Sequence, residues 1–281
     1  MTSLDPTTEL GADALRAIVE HPGQTLVAFD LDGTLAPIVD DPEQAFADPE
    51  AVAALAALGR LVGTVAVVTG RPARTAVRLG GFAGRPGLES MVVLGQYGVE
   101  RWNGADDSYV IPPEPAEVAA ATAELPALLA EHGFPDAHVE HKGRAFGVHT
   151  RQLPDPRAAF DQLLGPVRAL ADRHGLVLEP GRNVLEVRAP GRDKGGAIRT
   201  LVAETGARQV VFGGDDLGDL PAFEAVAALR GDGVPGLLVC SASAEEDALR
   251  DRADVVVDGP AGLAVWLRDL AARISAAGSA A

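Results

Sequence analysis

Two aspartates separated by one residue, Asp30 and Asp32, stand at the end of an apolar stretch and lead into Gly33 and Thr34. The four residues before Asp30, Leu-Val-Ala-Phe, are typical of a strand buried on both faces of a parallel sheet. Carboxylates that follow such a strand lie at the carboxyl edge of the sheet, where open α/β sheets bind ligands. Residues two apart on an extended backbone point to the same side, so we expect these two carboxylates to repel each other.

A divalent cation with oxygen ligands would make this pair of carboxylates tolerable. Alternatively, one aspartate stays protonated, which suits a general acid. A purely structural interpretation is an Asp-Gly turn whose aspartates only cap the strand. The first two interpretations both predict chemistry at the edge of the sheet.

Thr69, Gly70 and Arg71 end a second buried strand, predicted over residues 64–69, as Asp30 ends the first. Parallel strands of one sheet bring their carboxyl ends to the same edge. A hydroxyl and neighbouring backbone amides can hold phosphate oxygens there. Because Thr-Gly is also common after strands for structural reasons, this cluster is informative only together with the others.

Lysine is scarce, since Lys142 and Lys194 are the only two lysines among 24 basic residues. An ammonium and a guanidinium are not interchangeable at tight sites, so these two lysines reflect either a need for a compact ammonium or chance, and they are informative only if both fall in motifs. Lys194 opens a predicted helix, where it is either a solvated helix-end residue or neutralises a transferring phosphoryl group. Asp215, Asp216 and Asp219 follow another predicted strand, and without a cation they would form a repulsive cluster.

Taken in order, these four clusters resemble the motifs of the haloacid-dehalogenase-like (HAD) phosphatases, whose first motif reads D-x-D-x-T. The resemblance implies that Asp30 is the nucleophile and that Asp32 is the acid/base. It also implies that Thr69 binds phosphate and that Lys194 neutralises the phosphoryl group. A carboxylate nucleophile divides hydrolysis into two easier steps through an aspartyl phosphate. Gly33, Thr34, Gly70 and Arg71 are predicted as further substrate-binding positions at the same edge.

The resemblance also implies Mg²⁺ as the cofactor. Its implied ligands are Asp30, Asp32 through the backbone carbonyl, Asp215 and Asp216, with Asp219 in a supporting role beside Lys194. Two departures from the family pattern occur: Gly95-Gln96-Tyr97-Gly98 replaces Gly-Asn-His-Gly, and the Thr and Glu that often accompany the last aspartates are missing.

Strand and helix patterns alternate on both sides of a region that breaks the alternation. They predict an α/β fold: a doubly wound, Rossmann-like parallel-sheet core of the HAD type, formed by residues 1–111 and 190–281. Residues 112–189 follow an αββαββ order instead and predict an inserted α+β cap domain with an antiparallel sheet. The last helix is predicted over residues 260–274, with residues 275–281 as a loose tail.

Four motifs stand in or just after the predicted cap: Glu140-His141-Lys142, His149-Thr150-Arg151, the run Glu-Pro-Gly-Arg-Asn-Val-Leu-Glu-Val-Arg over residues 179–188, and Asp193-Lys194-Gly195. Together they resemble the trehalose-6-phosphate phosphatase family. Carried over from that family, Glu140, Lys142 and Glu186 would contact the hydroxyls of the distal glucose, with Arg151 nearby. The resemblance therefore implies a Mg²⁺-dependent phosphatase that hydrolyses trehalose 6-phosphate, with a cap that closes over the disaccharide. Alternatives are another sugar-phosphate phosphatase (for sucrose-phosphate or mannosyl-phosphoglycerate), a hexose phosphomutase, and a non-catalytic sugar-phosphate sensor. Five of the six histidines lie in this predicted cap, none at metal-ligand spacing with cysteine.

Charge and composition limit the partners. The net charge of −16 argues against nucleic acid and anionic membranes, both of which require basic surface. No signal peptide or membrane-spanning run is visible, so we expect a cytoplasmic protein. We expect a monomer with functional coupling to a trehalose-6-phosphate synthase, and the lone Cys240 is expected in the core.

Overall fold

The computed structural model describes residues 5–39, 41–181, 183–191, 193–242 and 249–280. The chain forms two compact units, one made of Met1–Ile111 with Asp193–Ala281 and the other of Pro112–Arg192. Within the described ranges, no helix combines the length and the apolar character needed to cross a bilayer.

The first unit is built on a sheet in which parallel pairing dominates. Its strands are β1 (Thr25–Phe29), β2 (Thr64–Val68), β3 (Val92–Gly95), β4 (Glu100–Asn103), β5 (Ser108–Val110) and, after the second unit, β10 (Gln209–Gly214), β11 (Gly236–Ala242) and β12 (Val255–Asp258). Their order is β12-β11-β10-β1-β2-β3-β4-β5. All pairs from β12 to β3 are parallel, whereas β4 and β5 continue the sheet antiparallel.

Helices cover both faces of this sheet. Its helices are α1 (Glu9–Glu20), α2 (Pro49–Gly59), α3 (Ala73–Gly80), α6 (Lys194–Thr205), α7 (Leu220–Gly231) and α8 (Gly259–Ala280). Apolar residues of α1, α2, α3 and α8 share one core with one face of the sheet, and those of α6 and α7 share another with the opposite face. Side chains alternate between the faces along each strand, which is why the central strands need apolar residues at every position. The predicted doubly wound α/β architecture is confirmed.

The second unit has the predicted αββαββ order and a single antiparallel sheet. Its elements are α4 (Ala116–Glu131), β6 (His138–His141), β7 (Ala145–His149), α5 (Pro156–Arg173), β8 (Val177–Gly181) and β9 (Val184–Arg188), with strand order β6-β7-β9-β8. One face of the sheet contributes Phe146, Val148, Leu185 and Val187 to a core shared with α4 and α5. The alternate residues occupy the opposite face, which carries Glu140, His149, Glu186 and Arg188.

The structure differs from the sequence predictions at the last helix and at two strands. The predicted loose tail is wrong for residues 275–280, because α8 continues to Ala280, while Ala281 lies outside the described residues. Alanine is the best helix former, and the hydroxyl of Ser275 donates to the carbonyl of Ala271 at 2.8 Å. Strands β4 and β5 had no sequence prediction; buried Trp102 packs against Tyr109 with ring centroids 6.4 Å apart.

Candidate active site

Asp30 follows β1 directly and is held at the carboxyl edge of the sheet by the neighbouring strand. Its backbone N–H donates to the carbonyl of Gly213 at 2.9 Å, so the ends of β1 and β10 are aligned. The chain then turns at Gly33, which has φ 73°. A Cβ at Gly33 would lie 1.9 Å from Oδ2 of Asp215. Only glycine permits both this backbone conformation and this close approach of the Asp215 carboxylate.

Lys194 is the buried cation of this edge. It is the first residue of α6, whose N-terminus is capped by the Asp193 side chain accepting from the N–H of Gly196 at 2.6 Å. Its Nζ lies 2.8 Å from Oδ1 of Asp30 and 2.7 Å from Oδ1 of Asp219. The side chains of Lys194, Asp30 and Asp219 are 5%, 7% and 0% exposed. An ion pair so well shielded from water interacts much more strongly than a surface pair.

Asp219 uses both carboxylate oxygens inside the protein. Oδ1 accepts from Lys194, and Oδ2 accepts from the backbone N–H of Asp215 at 2.9 Å and of Asp216 at 3.3 Å. These contacts determine the shape of the turn after β10. They hold Asp215 beside Thr34, whose hydroxyl donates to Oδ1 of Asp215 at 3.4 Å. Ser241 at the end of β11 donates to the carbonyl of Gly33 at 2.8 Å and supports the facing turn.

The buried carboxylates outnumber the cation that they share. Asp30, Asp215 and Asp219 each offer an oxygen, and these oxygens lie within 4.8 Å of one another. Three ionised carboxylates and the ammonium of Lys194 would sum to −3 + 1 = −2. Burial, with further repulsion from neighbouring carboxylates, raises the pKa of Asp215 to about 8 and the pKa of Asp30 well above its usual range. Burial also raises the pKa of Asp219, against the attraction of Lys194.

Lys194 stays protonated in this environment. Burial by itself would lower its pKa, but the carboxylates of Asp219 and Asp30 outweigh that effect and raise the pKa well above its usual value. The residual charge and the all-oxygen donor set are what a hard divalent cation requires. The residues at this edge therefore fit such an ion.

Asp216 is exposed, whereas Asp215 and Asp219 are buried. Its side chain is exposed and accepts from the N–H of Gly218 at 2.9 Å, so that it caps the short helical turn containing Asp219. It lies outside the group formed by Asp30, Asp215 and Asp219. Its role as a metal ligand, like that of the Asp32 carbonyl, remains a prediction.

Asp32 and Arg71 form a bidentate ion pair. Nε of Arg71 donates to Oδ2 of Asp32 at 2.7 Å, and its terminal nitrogen donates to Oδ1 at 2.6 Å. A second terminal nitrogen of Arg71 donates to the carbonyl of Pro42 at 2.8 Å. Parallel bonds of this kind are stronger and more directional than single ones. Arg71 thus orients the proposed acid/base, a relation that spacing in the sequence did not predict.

Thr69 and Gly70 lie in a loop that is tied to the turn after β3. The hydroxyl of Thr69 accepts from the N–H of Arg71 at 3.2 Å, and its carbonyl accepts from the N–H of Tyr97 at 3.0 Å. The phenol of Tyr97 lies against Gly70. Gln96 and Tyr97 have φ of 49° and 58°, a left-handed conformation that is costly for residues other than glycine. The departure from the family pattern at these positions therefore coincides with a strained turn at the sheet edge.

Three of the four predicted cap residues lie together on the polar face of the second sheet. Nζ of Lys142 lies 2.6 Å from Oε2 of Glu186 and 3.6 Å from Oε2 of Glu140. Nε2 of His149, a residue absent from the sequence predictions, lies 2.9 Å from the same oxygen of Glu140. Arg151 is exposed in the turn after β7 and lies outside this cluster. His149 belongs to the cap motif His149-Thr150-Arg151 that resembles the family, and its proximity to the other histidines of the predicted cap was a further signal, but neither signal gave it a role.

Several known proteins are similar to this chain in sequence or in fold. The sequence model of the trehalose-phosphatase family matches residues 28–255. A trehalose-phosphate phosphatase of Mycobacterium marinum is 31% identical over 279 residues, which cover 95% of this chain and 67% of that protein. The C-terminal domain of the C. albicans trehalose-6-phosphate phosphatase superposes with a TM-score of 0.73 at 20% identity, covering 95% and 98% of the two chains. A haloacid dehalogenase-like hydrolase of Bacteroides thetaiotaomicron gives 0.61 at 14% identity, covering 88% and 99%. These two structures show the fold, and confirm that it is of the HAD type.

Proposed function

The chain belongs to the trehalose-phosphatase family and is therefore a phosphatase, and we propose that it hydrolyses trehalose 6-phosphate through an aspartyl-phosphate intermediate. The observation that carries this proposal is the buried Lys194 between Asp30 and Asp219, at the end of the central strands. A carboxylate held against an ammonium is placed to attack a phosphate ester whose negative charge the same ammonium neutralises.

In the first step an oxygen of Asp30 bonds to phosphorus, and the bond from phosphorus to the sugar oxygen breaks. Asp32 must enter this step protonated, which requires it to give up its bidentate contact with Arg71. It then gives this proton to the departing oxygen, so that the sugar leaves as a neutral alcohol. In the second step Asp32 takes a proton from water, the water oxygen attacks phosphorus, and the carboxylate of Asp30 is released with inorganic phosphate. Arg71 orients Asp32 through their ion pair. Binding of substrate phosphate by Arg71 would require that this ion pair breaks.

We propose Mg²⁺ as the divalent ion. Asp30 and Asp215 would hold it, with the Asp32 carbonyl and Asp216 as the ligands that the family resemblance implies, and Asp219 would orient Lys194. The ion would neutralise negative charge on the phosphoryl group and favour the ionised form of Asp30. The chemistry of the donors supports this choice, since Mg²⁺ prefers oxygen ligands and commonly keeps part of its hydration.

The direct test is phosphate release from a panel of sugar phosphates, measured with Mg²⁺ and with EDTA. We expect rapid release from trehalose 6-phosphate, little from glucose 6-phosphate or sucrose 6-phosphate, and loss of activity in EDTA that Mg²⁺ restores. Preference for a different ester would overturn the proposed substrate while leaving the phosphatase chemistry intact. Activity that persists after complete removal of metal would contradict the proposed cofactor.

Two other outcomes would point to the alternative functions. Conversion of a hexose phosphate into an isomer without released phosphate would indicate a phosphomutase. Binding of a sugar phosphate in Mg²⁺ without turnover would indicate a sensor. The buried pairing of Lys194 with Asp30 favours an enzyme, because a binding protein has no need of a nucleophile.

Lys142 provides a test of sugar recognition. We propose that Lys142, Glu140 and Glu186 bind hydroxyls of the sugar, with Arg151 contributing nearby. Replacing Lys142 by alanine should raise the KM for trehalose 6-phosphate about 10- to 100-fold, since it removes charge-assisted hydrogen bonds. Turnover of phenyl phosphate, which lacks the sugar, should change little. Arg173→Ala is a matched control, because it removes an exposed cation that pairs with Glu124 on the helical side of the same unit. Equal losses on both esters would exclude Lys142 from sugar recognition.

A further inference from the structure

We infer that His149 is a positioning residue, which holds Glu140 in the orientation that binds sugar hydroxyls, and that Gly147 makes this contact possible. The inference rests on the proposed sugar-binding role of Glu140. Neither His149 nor Gly147 is proposed to touch substrate. Both act on the position of Glu140, which is proposed to bind it.

The positions of the two glutamates follow from a row of three paired residues across the second sheet. Glu140 on β6 pairs with Gly147 on β7, which pairs in turn with Glu186 on β9. The two glutamates therefore project from the same face, on either side of a residue without a side chain. Lys142 reaches over this gap and contacts both glutamates, more closely at Glu186 (2.6 Å) than at Glu140 (3.6 Å).

His149 supplies the shorter contact to Glu140. It lies two residues after Gly147, on the same face of β7, and its Nε2 is 2.9 Å from Oε2 of Glu140. A proton on Nε2 makes this a hydrogen bond from the imidazole to the carboxylate. The ring of His138, the cross-strand partner of His149, lies 5.5 Å from the imidazole and flanks it.

Gly147 gives the imidazole the space that it occupies. A Cβ at position 147 would lie 3.2 Å from Nε2 and 3.7 Å from Cδ2 of His149. The first distance is shorter than an ordinary carbon–nitrogen contact, so an alanine would displace the ring by a few tenths of an ångström. The position of the His149 ring thus depends on the absence of a side chain at Gly147. Through this ring, Gly147 also affects the position of the Glu140 carboxylate.

Preorganisation is the physical reason for such an arrangement. The Glu140 side chain is 35% exposed, and a glutamate on a surface samples several rotamers. Holding its carboxylate before substrate arrives avoids that ordering cost during binding. The expected signature is a change in the KM for a sugar phosphate with little change in kcat, because the phosphoryl chemistry involves other residues.

The experiment compares His149→Ala, His149→Gln and His149→Asn, using the sugar phosphate that the wild type hydrolyses best and phenyl phosphate. We expect His149→Ala to raise the KM for the sugar ester about tenfold, as for loss of a hydrogen bond to a charged group, with kcat within about twofold. Phenyl phosphate should be unaffected. The glutamine amide nitrogen can occupy the place of Nε2 and should restore a KM near that of the wild type, whereas the shorter asparagine should not.

Three further variants separate positioning from a general effect on folding. Gly147→Ala should raise the KM in the same direction, and the double variant with His149→Ala should be no worse than His149→Ala alone, since both act on one contact. His174→Ala is the matched control: it removes a histidine–glutamate contact of 2.8 Å, to Glu124, in the same unit but on the helices. This control should leave both esters unchanged.

The inference is overturned if His149→Ala affects both esters equally, if it lowers only kcat, or if glutamine fails to rescue. Failure of the proposed function has a different signature. If the wild type prefers another sugar phosphate, the proposed substrate is wrong, but the His149 variants are measured on that ester with the same expectations. If the wild type hydrolyses no sugar phosphate, both the function and this inference are wrong.

Discussion

Asp30→Asn is expected to lower turnover at least about 10⁴-fold, the scale of losses seen when a catalytic nucleophile is removed. The amide has nearly the shape of the carboxylate but cannot attack phosphorus. The fold should survive, because the substitution removes one negative charge from a buried group that carries an excess of them. The measurement is phosphate release from trehalose 6-phosphate in Mg²⁺, together with thermal unfolding followed by circular dichroism.

The control and a second readout make this prediction specific. Asp136→Asn removes an exposed carboxylate in the second unit and should leave activity unchanged. In wild type, acid quenching during turnover of a substrate labelled in the phosphoryl group should trap labelled protein. The label should be absent from the Asp30→Asn variant. Activity above about 1% of wild type in that variant, a loss of under 100-fold, would exclude Asp30 as the nucleophile.

Lys194→Met is expected to impair both stability and catalysis. Methionine keeps much of the volume of lysine but leaves Asp30 and Asp219 buried without their shared cation. Removing one partner of a buried ion pair typically costs about 3–5 kcal/mol in the free energy of unfolding. Loss of a group that stabilises the transition state lowers kcat by about 10²- to 10³-fold. Urea unfolding and steady-state kinetics measure the two effects.

The direction of the pKa shifts predicts how the stability of the protein depends on pH. Burial raises the pKa values of Asp30, Asp215 and Asp219, so between about pH 4 and pH 8 the folded state binds more protons than the unfolded state. Stability in EDTA should therefore fall as the pH rises through this range. The fall in stability should be steeper for Lys194→Met, because this variant lacks the ammonium that lowers the pKa values of the three carboxyls.

Lys142→Ala is the matched comparison, because it removes the other lysine of the chain. Lys142 lies between Glu186 and Glu140, which are 17% and 35% exposed, so water screens the charges that remain. Its effect on the free energy of unfolding should be clearly smaller. Equal destabilisation by the two substitutions would show that burial of Lys194 is not what makes it important.

The sequence alone was sufficient to predict the architecture, and it predicted that the clusters proposed to be catalytic follow the ends of strands. Apolar runs and helix periodicity are local signals, and they predicted β1, β2 and β10 with the αββαββ order of the second unit. A strand that ends in Asp30 and another that ends in Thr69 must meet at one edge if the sheet is parallel. The antiparallel strands β4 and β5 escaped prediction because β4 (Glu-Arg-Trp-Asn) has a single apolar residue and β5 (Ser-Tyr-Val) is only three residues long, so neither shows an alternation of apolar side chains.

The tertiary structure decided which charged groups share a partner. Asp216 and Asp219 are three residues apart in one short turn, yet Asp219 is buried against Lys194 and Asp216 is exposed. Arg71 pairs with Asp32, which is 39 residues away in sequence. His149 on β7 contacts Glu140 on β6, beside Gly147, whose missing side chain leaves space next to the ring. Composition and spacing locate residues along one chain segment, whereas ion pairing depends on distances of a few ångströms between segments, and only the packing of the fold sets those distances.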